Sequence, residues 1–123
     1  MRVAVIGASK DRSKFGNKAV RAYLSKGYEV IPINPNEKEI EGLRCFGSVL
    51  SISKEVDIAL FYVPPSIGLR ILEEVAKKGI KRVYFNPDTE SPKLEKRARE
   101  LGLEPVIGCA IHAIGLMPKE FPS

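Results

Sequence analysis

The chain has 123 residues, of which 44% are hydrophobic and 28% charged, and its formal net charge is +5. This length fits one domain and leaves little room for a second, so we expect a single domain over residues 1–123. The positive charge favours an anionic partner such as a phosphorylated cofactor. Nucleic acid is disfavoured, because the basic residues are scattered and do not alternate with aromatic side chains as in a single-strand stacking surface.

The cysteines and the N-terminal sequence bear on the compartment. The two cysteines, Cys45 and Cys109, do not form the pattern of a disulfide framework, which favours a reducing, cytoplasmic location. The apolar run Val3–Ile6 is too short for a signal peptide or a membrane span. We therefore expect a soluble protein that does not associate with membranes.

Strand and helix patterns alternate along the chain. Five short apolar runs predict strands: Val3–Ile6, Tyr28–Ile33, Ile58–Val63, Val83–Phe85 and Pro105–Ile107. Three stripes with helical spacing lie between them, and each ends at a glycine suited to a left-handed conformation: Gly27, Gly79 and Gly102. Residues 34–54 carry no such stripe and predict a loop with short irregular elements. The alternation predicts a Rossmann-like three-layer α/β sandwich with a five-stranded, mostly parallel sheet.

The loop after the first strand is the first candidate for ligand binding. Ligands of open parallel sheets bind beyond the carboxyl ends of the strands, where helix N-termini offer free N–H groups to phosphate. Here the loop runs from Gly7 to Gly16, and four of its side chains are candidates to contact a ligand, one hydroxyl and three basic groups: Ser9, Lys10, Arg12 and Lys14. It matches neither standard phosphate motif, because Ser9 replaces a glycine of the dinucleotide fingerprint and Arg12 a glycine of the P-loop. An ordinary solvated turn is the alternative.

The second and third strand ends add to this site. Asn34 stands where an NAD-binding fold would place an acidic residue for the ribose hydroxyls, and Lys38 follows it. A neutral or basic site suits a ribose that carries an extra phosphate, which coenzyme A and NADP both have. After the third strand, Pro64 and Pro65 rigidify the exit, and we expect Ser66 to cap the following helix.

Together, these strand ends resemble the CoA-binding domain family. The motifs that carry the resemblance are Gly7-Ala8-Ser9, Ile33-Asn34-Pro35 with Lys38, and Val63-Pro64-Pro65. Their layout is similar to that of small stand-alone members and of the N-terminal domain of the succinyl-CoA synthetase α subunit and of NDP-forming acyl-CoA ligases. The resemblance runs from Arg2 to about Gly115.

The resemblance implies coenzyme A as the cofactor and assigns binding residues to each strand end. Around the phosphates it implies Gly7, Ala8, Ser9 and the loop that continues through Lys14, Phe15 and Gly16. Near the ribose and the 3′-phosphate it implies Asn34, Pro35 and Lys38. Against the adenine or the pantetheine it implies Val63, Pro64 and Pro65.

The chain departs from the family after the fourth strand. Many stand-alone members carry Trp and Gln followed by a glycine there, whereas this chain has the segment Phe85–Glu90. The phosphohistidine segment and the nucleotide-grasp domain of the synthetases are absent. An acyl-CoA ligase reaction would therefore require another subunit.

Cys109 and His112 are the remaining reactive side chains. They could pair as a thiolate and a base, but the sequence offers no third group to orient them. A closed zinc site needs four ligands, and Cys45 is the one other sulfur ligand available. We therefore predict no catalytic residue and no metal site. The favoured function is a non-catalytic module that binds coenzyme A or an acyl-CoA, and the alternative is an NAD(P)-binding domain or redox sensor.

Overall fold

In the computed structural model, which describes residues 1–123, strands and helices alternate as predicted. The strands are β1 (Arg2–Ile6), β2 (Glu29–Ile33), β3 (Glu39–Ile40), β4 (Leu43–Arg44), β5 (Ile58–Phe61), β6 (Arg82–Phe85) and β7 (Glu104–Ile107). The helices are α1 (Phe15–Ser25), α2 (Pro65–Lys78), α3 (Pro92–Glu100) and the short α4 (Ala110–Ala113). Helix α4 was not predicted, because four residues are too few to show a helical period.

The main sheet has five strands in the order β2-β1-β5-β6-β7, and every pairing in it is parallel. The predicted Rossmann-like α/β fold is thus confirmed. The third strand of this sheet in chain order ends at Phe61 rather than Val63. Tyr62 still donates to the Ile6 carbonyl at 2.8 Å, but Pro64 and Pro65 have no N–H to extend the ladder.

The sheet is covered on both faces by helices, which gives the predicted three layers. Alternate residues of β1 point to opposite sides, so that Ala4 and Ile6 belong to one core cluster and Val3 and Val5 to the other. The first cluster includes Leu72 of α2 and side chains of α3. The second includes side chains of α1 and α4.

Most of the predicted helix ends and loops agree with the structure. Gly27, Gly79 and Gly102 follow their helices with φ of +84°, +93° and +77°. The segment 34–54 holds the two-stranded hairpin of β3 and β4 and a 3-10 turn at Val49–Ser51. The expected cap at Ser66 is wrong: α2 begins at Pro65, its cap residue is Pro64, and Ser66 lies inside the first turn.

The longest helix, α2, has 14 residues, and no helix in the structure has the length and apolar character needed to cross a membrane.

Candidate functional site

Three neighbouring strands, β2, β1 and β5, end side by side at the carboxyl edge of the sheet. Ile6, the last residue of β1, is in register with Ile33 of β2 on one side and Phe61 of β5 on the other. The first residue after β1 stays beside the end of β2, since the Gly7 N–H donates to the Ile33 carbonyl at 3.1 Å. The three motifs found in the sequence therefore lie side by side.

Gly7 and Gly16 allow the first loop to pack against backbone. Gly7 has φ of +86°, and a Cβ built there would lie 2.5 Å from the Tyr62 carbonyl oxygen. A Cβ on Gly16 would collide with the Gly7 carbonyl oxygen. Both positions thus require glycine for the protein's own close approach, in addition to any approach of a ligand.

A buried amide that the sequence analysis did not single out anchors the loop from below. Asn17 is fully buried and donates to the Ser9 carbonyl at 2.9 Å and to the Glu41 carboxylate at 3.0 Å. Its Oδ1 accepts from the Arg21 guanidinium at 2.7 Å. The bond to Ser9 holds the loop against the start of α1.

Asp11 shapes the tip of the same loop. Its carboxylate accepts from the Ser13 hydroxyl at 2.6 Å and from the Ser13 N–H at 3.0 Å. These two bonds lower the pKa of the Asp11 carboxyl below its ordinary value. The Asp11 N–H in turn donates to Ser9 Oγ at 3.0 Å, so the Ser9 side chain helps to form the turn.

Asn34 and Asn86 hold neighbouring strand exits together in the same way. Asn34 donates to the Ala8 carbonyl at 2.9 Å and accepts from the Asn36 N–H at 2.8 Å. Asn86, after β6, donates to the Phe61 carbonyl at 2.9 Å and accepts from the Ala110 N–H at 2.8 Å. The repeated pattern of an apolar residue, Asn, Pro and Asn or Asp was the available signal for this shared role.

A groove of about 410 Å³ opens between these exits and α2. Gly7, Asn34, Pro35 and Val63 line it, as do apolar side chains of α2. Arg70 also lines it and makes no ion pair in the structure. Nothing in the sequence distinguishes this arginine from other solvent-facing residues of a helix.

On the other side of Gly7 and Val63, the groove continues into two smaller cavities. A shelf of about 290 Å³ is lined by Gly7, Val63 and residues of the loop and of the β6 exit. A slot of about 90 Å³ follows and shares four residues with the shelf: Phe15, Tyr62, Pro87 and Asp88. Groove, shelf and slot thus adjoin one another through shared lining residues, and together they are called the track.

Eight of the twelve predicted binding residues line this track: Gly7, Lys14, Phe15, Gly16, Asn34, Pro35, Val63 and Pro64. The other four do not line these three cavities: Ala8, Ser9, Lys38 and Pro65. Ala8 is fully buried. Lys38 is exposed, and its carbonyl accepts from the Cys45 N–H at 2.9 Å, so its predicted contact with the 3′-phosphate stays a prediction.

Two side chains give the slot its chemical character. The Tyr62 hydroxyl is buried and has no hydrogen-bond partner. Burial, with a smaller contribution from the neighbouring Cys109 thiol, raises the pKa of Tyr62 far above its ordinary value. Cys109 is half-buried at the start of α4, whereas His112 is exposed and shares no hydrogen bond with it.

A further depression of about 350 Å³ lies between α2 and α3, but its character is that of solvated surface. Five of its six lining residues are charged, and exposed side chains such as Arg97 and Glu73, 2.7 Å apart, pair across it. It is therefore not part of the candidate site.

A five-stranded parallel sheet with adjoining cavities at its carboxyl edge is typical of Rossmann-like domains that bind nucleotides. Residues 1–114 match the family described as CoA binding domain, and the chain belongs to that family.

Six of the relatives in sequence are acyl-CoA ligases or their subunits. The alpha subunit of acetate–CoA ligase (ADP-forming) I from Pyrococcus furiosus is 39% identical, over 94% of this chain and 28% of its own length. Acetate–CoA ligase (ADP-forming) II from Archaeoglobus fulgidus is 42% identical over 78% of this chain. The chain spans between 11% and 28% of the length of the six ligase relatives.

Solved structures include both small and large proteins. A conserved hypothetical protein from Pyrococcus furiosus superposes with a TM-score of 0.86 and 41% identity, and the match covers 91% of this chain and 97% of that one. A dinucleotide-forming acetyl-coenzyme A synthetase from Candidatus Korarchaeum cryptofilum superposes with a TM-score of 0.77 and 32% identity, over 85% of this chain and 25% of its own. The fold therefore occurs at the size of this chain and as a part of larger enzymes.

Proposed function

We propose that the chain binds coenzyme A or an acyl-CoA along the groove, the shelf and the slot, and that it contributes binding but no catalytic residue. The observation that carries this proposal is the row of adjoining cavities over the β1, β2, β5 and β6 exits. Gly7 and Val63 line both the groove and the shelf, so one elongated ligand could follow the whole track.

The three parts of the track differ in ways that fit the three parts of the ligand. The groove has the largest volume of the three, half of its lining residues are hydrophobic, and it carries Arg70, which suits the adenosine end. The shelf brings Lys14 beside the start of α1. No side chain caps this helix, so its first N–H groups and positive dipole end suit the diphosphate. The slot then receives the thiol end.

The absence of a catalytic role is part of the proposal. Cys109 and His112 are not hydrogen-bonded to each other, and the chain corresponds to a fraction of each ligase relative. Any ligase reaction that used this domain would then take its catalytic groups from outside these 123 residues.

Calorimetric titration of the full chain tests the proposal. We expect coenzyme A to bind more tightly than dephospho-coenzyme A, NADP and NAD, because it alone combines the 3′-phosphate with an arm that reaches the slot. Saturation at 100 times the dissociation constant should also stabilise the fold by about 2.7 kcal/mol. Equal or tighter binding of NAD or NADP would support the alternative function and contradict the proposal.

Arg70→Ala tests which cation recognises the phosphate of the nucleotide end. We expect it to weaken coenzyme A binding about tenfold, or about 1.4 kcal/mol, because a charge-assisted hydrogen bond is lost. The loss should shrink at high salt, since salt screens exposed charges. Lys77→Ala, which removes one positive charge from the far end of α2, is the control and should change affinity little.

Lys38→Ala belongs in the same series. If it weakens binding while Arg70→Ala does not, the cation that contacts the phosphate lies on the loop after β2, and the role given to Arg70 is wrong. Dephospho-coenzyme A identifies the phosphate concerned, because a variant that has lost the 3′-phosphate contact should bind both coenzymes equally.

A further inference from the structure

The slot is the smallest of the three cavities along the track and suits the end of a short chain. Its volume is about 90 Å³, against about 410 Å³ for the groove. Phe15 and Ile111 contribute apolar surface, and Cys109 adds a half-buried sulfur. The walls thus favour a group of a few heavy atoms with little charge.

Tyr62 lines the slot, and its buried hydroxyl lacks a hydrogen-bond partner. Buried polar side chains are nearly always hydrogen-bonded, and an orphan lowers stability. Tyr23, the other buried tyrosine nearby, follows the rule and donates to the Ala110 carbonyl at 2.7 Å. The neighbouring Asn86 already accepts from the Ala110 N–H. A ligand that enters the slot would therefore meet an uncommitted donor in Tyr62.

The charge at the slot limits which ligand ends it can hold. Asp88 also lines the slot and is exposed. Its carboxylate would repel a second carboxylate at short range. A neutral acceptor, such as the carbonyl of a thioester, avoids this repulsion and can accept from the Tyr62 hydroxyl.

We propose that the slot is a specificity site for the acyl end of a short, uncharged acyl-CoA, and that the Tyr62 hydroxyl donates to the thioester carbonyl. This inference rests on the proposed function, because the thioester reaches the slot when the nucleotide end lies in the groove. It makes the chain a discriminator between free coenzyme A and its short acyl esters.

Titration of wild type and Tyr62→Phe with coenzyme A, acetyl-CoA and succinyl-CoA tests the inference. Wild type should bind acetyl-CoA about threefold to tenfold more tightly than coenzyme A, the range expected for one net hydrogen bond. Succinyl-CoA should lose this advantage because of its terminal carboxylate. Tyr62→Phe should bind acetyl-CoA and coenzyme A equally, because the donor to the thioester carbonyl is gone.

Two controls keep the test specific. Tyr28→Phe removes a hydroxyl from a tyrosine that packs on Tyr23 and does not line the slot, so the acetyl preference should persist. The unfolding temperature of Tyr62→Phe without ligand should not fall, because its hydroxyl has no partner to lose.

The outcomes separate the two proposals. A wild type that binds no form of coenzyme A would overturn the proposed function. A wild type that binds coenzyme A without an acetyl preference, or a Tyr62→Phe variant that keeps the preference, would overturn the slot assignment alone. Equal binding of succinyl-CoA and acetyl-CoA would overturn the exclusion of charged acyl groups.

Discussion

Gly7→Ala is expected to lower the free energy of unfolding by about 2–5 kcal/mol. A left-handed conformation costs about 1–2 kcal/mol for an alanine, and overpacking costs about 1–3 kcal/mol more. The overpacking arises because the new Cβ would lie 2.5 Å from the Tyr62 carbonyl oxygen. Thermal unfolding of the free protein should show a midpoint at least about 8 °C lower.

Gly27→Ala is a matched control for this prediction. Gly27 has φ of +84°, close to the +86° of Gly7, but a Cβ there would meet nothing within 4 Å. It should cost about 1–2 kcal/mol from backbone strain alone. Equal losses in the two variants would show that the approach of Gly7 to Tyr62 contributes nothing to stability. A larger loss at Gly7 measures that contact directly.

The result also bears on why glycine stands at the end of β1. In the sequence, Gly7 is explained equally well by a tight turn or by the approach of a phosphate. The structure adds a reason internal to the fold, namely the contact between the loop and the backbone after β5. Because both reasons act at one residue, stability must be measured before a loss of ligand affinity in Gly7→Ala is assigned to binding.

The fold could be predicted from the sequence because its signals are local. Buried parallel strands appear as short apolar runs, and helices that end at glycine appear as stripes with a stop. Each such signal lies within one element, and the order of elements restricts the topology to a few choices. The strand was predicted to end at Val63, two residues beyond its end at Phe61 in the structure. Tyr62 still makes a backbone hydrogen bond to β1, so the extended chain continues one residue past the strand.

The candidate site was less predictable, because its residues are chosen by contacts between distant segments. Arg70 is one of many charged residues on helices, and its position over the groove depends on how α2 packs. The Tyr62 hydroxyl lies beside Cys109, 47 positions later in the sequence, and no local pattern reports that it lacks a partner. Asn34 was predicted as a ligand residue, although its amide is largely used within the protein.

Asn86→Ala is expected to cost about 2–4 kcal/mol in the free energy of unfolding. The change removes bonds to the Phe61 carbonyl and the Ala110 N–H, both within the buried region between β5 and α4. Each buried group left without a partner costs about 1–3 kcal/mol. Denaturant unfolding, with the midpoint and the slope fitted together, measures the loss.

Asn34→Ala is the comparison, because Asn34 makes the equivalent bonds at a half-buried strand exit. Water can replace part of what is lost there, so the expected cost is about 1 kcal/mol. If Asn34→Ala lowers the free energy of unfolding as much as Asn86→Ala does, then burial does not determine the cost of removing the amide. The comparison also separates the two ends of the track, since Asn34 lines the groove and Asn86 the slot.

The same pair of variants relates stability to ligand selection. Asn86 fixes the start of α4, where Cys109 forms one wall of the slot. If the slot holds the acyl end, then Asn86→Ala should reduce the preference for acetyl-CoA over coenzyme A, whereas Asn34→Ala should weaken both ligands alike. A preference that survives in Asn86→Ala, at a temperature where the variant is folded, would show that the wall formed by α4 does not select the acyl group.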